Sequence, residues 1–112
     1  MKIRRGFVTN SSSSSFVVAV RDGMSKEDIR KELEQMIPEE ELDNFCKDWE
    51  ESKESVLDEM VYILKTRSDY GMKLNGFNVG ADYWEDYDCE LGAGAVQAFD
   101  LNSDNIKVER CN

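Results

Sequence analysis

Phe16-Val17-Val18-Ala19-Val20 is a short, continuous apolar run of aromatic and β-branched residues, and the period changes immediately after it. Such a run reads as a buried, central strand rather than as a piece of helix. Arg21-Asp22-Gly23 closes it with a turn, and Ser25 followed by Asp28 has the spacing of a helix N-terminal capping box. Beyond that cap Ile29, Leu33, Met36 and Ile37 recur on one helical face, while Glu27, Asp28, Arg30, Lys31, Glu32 and Glu34 fill the other. A chain that lays down a buried strand and then amphipathic helices has to stack one layer on the other.

Two more helices are expected. Pro38 suits a first helical turn, where its missing N–H has no partner to lose, and Glu39, Glu40 and Glu41 complement the positive end of the dipole. Leu42, Phe45, Cys46 and Trp49 continue as an apolar stripe. From Ser55 to Lys65 the residues Val56, Leu57, Met60, Val61, Ile63 and Leu64 are too apolar for a one-sided surface helix, so this segment is the most buried of the three. Past Gly71 the helical period stops, and glycines and aromatics take over. Phe77, Val79, Ala81 and Tyr83 alternate with Asn78, Gly80 and Asp82, and Tyr87, Cys89 and Leu91 alternate with Asp86, Asp88 and Glu90. Both patterns predict antiparallel strands with one wet face. Shorter strands are expected over 96–101 and 106–110, separated by the turn residues Asn102 to Asn105.

The expected fold is therefore α+β: a small, mainly antiparallel sheet covered on one face by two or three helices. One domain over residues 1–112 is all this length supports. Its parts are a serine-rich motif at 1–15, a strand at 16–21, an acidic helical region at 25–67 and a strand-and-turn region at 72–110.

Lys and Arg total 14 against 24 Asp and Glu, a formal net charge of −10, and there is no histidine. That removes the commonest general base and metal ligand and any Ser-His or Cys-His pair, so no catalytic residue, cofactor or metal site is expected. Cys46, Cys89 and Cys111 lack Cys-x-x-Cys spacing and read as buried thiols of a reducing compartment. No run has the length of a membrane span and no apolar signal region follows the N-terminal bases, which places the chain in the cytoplasm. Its charge repels nucleic acid and anionic membrane and favours a basic partner.

The charge is unevenly divided. Residues 1–21 hold Lys2, Arg4, Arg5 and Arg21 and no acid, whereas the stretch 22–59 carries a large excess of acid. Within the acid-free part, Arg4-Arg5-Gly6-Phe7-Val8-Thr9-Asn10, Ser11 to Ser15 and Phe16 resemble an N-terminal motif, Arg-x-Gly-Phe-Val-Ser/Thr-Asn-Ser-Ser-Ser-Ser-Ser-Phe, that recurs at the start of small phage and bacterial proteins. The resemblance implies a phage or mobile-element context and brings no biochemical role with it. Read from the residues alone, polyserine is a solvated connector or a processing signal. The competing reading is an anion cradle in which Asn10 and Ser11, Ser12, Ser13, Ser14 and Ser15, with Arg4 and Arg5 beside them, capture a phosphorylated small molecule or nucleotide signal at a homo-oligomer interface.

Two acidic groups are the leading candidates for partner contact. Glu39, Glu40, Glu41, Glu50 and Glu51 lie on the helices, and Asp82, Trp84, Glu85, Asp86 and Asp88 form an acidic and aromatic patch in the strand region. Clustered carboxylates of this kind imitate the charge of nucleic-acid phosphates. The function expected from them is non-enzymatic: binding and inhibition of a basic host protein, such as a nucleic-acid-binding or defence factor.

Overall fold

The structure, a computed structural model, describes residues 13–85 and 91–111. In chain order these form β1 (Ser13–Arg21), α1 (Lys26–Met36), α2 (Glu39–Trp49), α3 (Lys53–Asp69), β2 (Met72–Leu74), β3 (Phe77–Glu85), α4 (Leu91–Ala98) and β4 (Ile106–Cys111). The described strands make one sheet in the order β2-β3-β1-β4, antiparallel at every neighbour. Helices cover one of its faces, with α3 against β3 and β1 and both α1 and α4 packed on α3. The expected α+β architecture is the one observed.

Phe16, Val18 and Val20 point from β1 into the helical layer and are buried there, as alternate residues of a strand must be if one face is covered. From the helices they meet Ile29, Leu33, Val56, Met60, Ile63 and Leu64, and from beyond β3 they meet Val96, Leu101 and Ile106. Of the three helices expected from the sequence, α3 is the most buried, with Val56, Leu57, Met60, Val61, Ile63, Leu64 and Ser68 inside. The capping box of α1 is in place: Asp28 N donates to Ser25 Oγ and Ser25 N donates to Asp28 Oδ2, both at 3.1 Å. The bond from Ser25 N, followed by the Ser25 hydroxyl, holds the Asp28 carboxyl below its usual range. A depressed carboxyl contributes stability that is complete above its unfolded pKa of about 3.9 and is lost as pH falls through the folded value. The difference in melting temperature between the wild type and Asp28→Ala is therefore expected to be full at pH 7 and to close below about pH 4.

The sequence reading needs correction at four places. Strand β1 starts at Ser13, so the last three serines are strand rather than connector: Ser13 to Ser15 pair with Glu85 to Tyr83 across the ladder. Register with β3 extends the strand beyond the apolar run because pairing uses backbone, which serine supplies as well as valine does. Strand β2 was not foreseen. Its signal is Asn75-Gly76, whose φ angles of 54° and 86° form the mirror-image two-residue turn that suits the twist of a hairpin.

Third, Leu91 and residues 96–98 are helix, not strand, since α4 runs from Leu91 to Ala98. The glycines there that read as breakers serve close packing: a Cβ at Gly92 would lie 2.6 Å from Glu59 O and 2.7 Å from Ile63 Cγ1 of α3. Fourth, β3 is turned over. Asn78 and Gly80 pair with the buried Val20 and Val18 and share their face, so Phe77, Val79 and Ala81 lie on the face away from the helices. Gly80 occupies the covered face because α3 crosses β3 there, with Arg67 O at 1.9 Å from where a Cβ would be.

Candidate functional site

Helix α2 presents most of the acidic residues singled out in the sequence. Leu42 and Cys46 face the core, Phe45 and Trp49 are half-buried with their rings stacked 5.2 Å apart, and Glu40, Glu41, Asn44, Lys47 and Asp48 are exposed. At 100° per residue the exposed set falls on one outward stripe. The helix ends at Glu50, which takes the left-handed conformation (φ 58°), its N–H bonding to Cys46 O and Lys47 O. Glu51 N donates to Cys46 O at 3.0 Å, so the chain turns back tightly into Ser52, the cap of α3.

Arg30, Lys53 and Lys65 of the helical layer are each paired with particular carboxylates. Lys53 Nζ lies 3.1 Å from both Glu39 Oε2 and Asp43 Oδ1, and these bonds, Asp43 first, raise the pKa of its ammonium above the ordinary 10.5. Arg30 binds Glu54 at 2.9 Å, Asp58 and Glu34, clamping α1 to the first turns of α3. A groove of about 420 Å³ beside this clamp is lined by Lys26, Glu27, Asp58, Val61 and Tyr62. Glu40, Glu41, Asp48 and Glu51 are different: they are exposed and make no ion pair among the described residues.

The expected acids are thus separated by role. Glu39 pairs with Lys53, Glu40 and Glu41 lie in the first turn of α2, and Glu50 and Glu51 follow its last residue, where the chain turns back. Asp82, Trp84 and Glu85 are register positions of β3 opposite Phe16, Ser14 and Ser13. Asp86 and Asp88 lie outside the described residues, as do Arg4, Arg5, Asn10, Ser11 and Ser12. Asp48, on the same outward stripe as Glu41, was missed. The i, i+7 spacing from Glu41 would have found it.

Ser13 to Ser15, the described part of the expected anion-binding group, are strand residues of β1. In an antiparallel ladder successive N–H groups point to opposite sides, and here Ser15 is paired with Tyr83 on one side and Cys111 on the other.

Cys46 is buried, and that burial, followed by the Asp43 carboxylate, pushes its thiol up from the usual 9.0. A protonated thiol is a poor nucleophile. No group of three metal-ligating side chains comes together among the described residues, and none of their helices is long and apolar enough to cross a membrane.

Compared with family models, with curated proteins and with solved structures, the chain matches none. Its role has to be argued from its own chemistry.

Proposed function

We propose that the chain is a non-enzymatic binding protein whose outward α2 stripe docks on a basic surface of another protein and occupies the place of nucleic-acid phosphates there. The observation that supports this reading is the division of charge on the helical layer. Arg30 and Lys53 neutralise acids that hold the helices together, whereas Glu40, Glu41 and Asp48 on α2, with Glu51 just beyond its end, are exposed and make no ion pair among the described residues. Carboxylates spread over about 12 Å of one helix, from Glu40 to Asp48, meet a phosphate-binding patch at several points, and a protein of net charge −10 steers a basic partner towards itself. Nucleic-acid-binding and defence proteins of an infected cell are partners of this kind. The phage or mobile-element setting rests on the resemblance of the N-terminal motif.

The test is a pulldown from cells of origin with the tagged wild type and with Glu40→Gln/Glu41→Gln/Asp48→Asn/Glu51→Gln, analysed by mass spectrometry of proteins and small molecules. All four positions are exposed, so the quadruple variant should keep the wild-type circular dichroism spectrum. The expected result is a basic protein released by salt from the wild type, bound about 10-fold or more weakly by the variant because each lost charge slows encounter. Equal capture by both, or recovery of a nucleotide alone, would overturn the reading.

A further inference from the structure

The sheet face away from the helices is apolar where an open antiparallel face is ordinarily polar. Met72 and Leu74 of β2 are 65% and 54% exposed, and Val17, Ala19, Phe77 and Val79 are partly exposed beside them. Nothing among the described residues closes over this face. Arg21, stacked over the Phe77 ring at 4.6 Å, shares it with Lys107 and Glu109 on β4, Asp100 and Asn102 line a hollow with Val17 and Ala19 at its edge, and the register position of Glu85 falls on it as well.

The register shows what fits it. Gly80, Val18 and Val108 form a row straight across three strands. On one side of the row stand Ala81, Val17 and Glu109, and on the other Val79, Ala19 and Lys107. A two-fold axis along that row, perpendicular to the strands, lays a second copy so that each side covers the other. Ala81 then meets Val79, Val17 meets Ala19 and Glu109 meets Lys107, in both directions. Each of these three contacts is large against small or acid against base, the kind of self-complementarity an isologous interface requires.

We infer that this sheet face is a dimerisation surface and that its occupant is a second copy of the same chain, packed sheet to sheet. The helical layers, which carry the acid excess, then point outward and away from each other. Strands about 4.8 Å apart give a footprint on the order of 1,000 Å² over both copies, at the low end for a specific interface. The affinity is accordingly micromolar, and the dimer forms in a concentration-dependent way. This inference is independent of the α2 reading, because the two surfaces lie on opposite faces.

Sedimentation velocity across about 1 µM to 1 mM tests it, a range that brackets a micromolar constant. The wild type is expected to pass from monomer to dimer. Lys107→Glu and Glu109→Lys, each placing like charges opposite one another, should each weaken the dimer about 10-fold, and the double exchange Lys107→Glu/Glu109→Lys should restore it. Val79→Asp, on the face away from the core, should remain folded by circular dichroism and stay monomeric. A wild type that is monomeric throughout would overturn the inference, as would single exchanges that leave the dimer intact or a double exchange that does not recover it. Dimerisation that appears only after removal of residues 1–12 would overturn it as well, in favour of cover by the chain's own N-terminal segment.

Discussion

Phe16→Ala is expected to lower the unfolding free energy by about 3–5 kcal/mol, a large part of the roughly 5–15 kcal/mol available to a single domain. Phe16 has no exposed surface and sits in the central strand, within the cluster formed with Ile29, Leu33, Met60 and Ile63. Truncation forfeits the transfer of the ring from water and leaves a cavity whose walls belong to several elements, so no single side chain can move to fill it. Its sequence neighbour gives the control. Val17 lies on the opposite face and is only half-buried, and Val17→Ala should cost less than about 1 kcal/mol. Urea unfolding followed by circular dichroism, at a protein concentration where the wild type is monomeric, measures both. Similar losses at the two positions would contradict the assignment of the covered face.

Gly80→Val is expected to cost about 3 kcal/mol or more, although valine is a far better strand residue than glycine. A Cβ at this position would stand 1.9 Å from Arg67 O and 2.6 Å from Arg67 C, and 3.3 Å from Ser68 N. All three are backbone atoms of α3, which cannot rotate aside as the end of a side chain can. The helix has to lift from the sheet, and Ser68, buried at the same crossing, lifts with it. Ala81→Val one residue further on lies on the open face and should be near neutral in the monomer. Equal effects at 80 and 81 in the same unfolding measurement would show that strand propensity, and not the approach of α3, governs the site.

The elements that were legible from sequence are those whose signal is local. Ser25 and Asp28 satisfy each other's backbone within one turn, and the stripes of α1, α2 and α3 repeat at the helical period whatever they pack against. The Phe16–Val20 run is apolar on both of its faces, the pattern of an interior strand, and β1 pairs with β3 along one edge and β4 along the other.

The misread elements carry signals that have two meanings. Gly92 looks like a breaker in sequence and is a contact point in space. Alternation in β3 shows that its two faces differ but does not say which is covered, and the deciding fact is that a helix from elsewhere in the chain crosses at Gly80. The same limit applies to the acids. The sequence marks Glu39, Glu40 and Glu41 alike, yet Lys53 reaches back to Glu39 and leaves the next two to solvent.

Local backbone chemistry and hydrophobic period thus determined, from sequence alone, a central strand, three helices, the capping box of the first and an acidic composition. The tertiary structure alone decided which face of β3 is apolar and open, that the serine run enters the sheet, and which carboxylates on α2 lack a cation. Each of these depends on what stands opposite a residue in space, and pairing and packing between distant segments leave no mark in the order of the residues themselves.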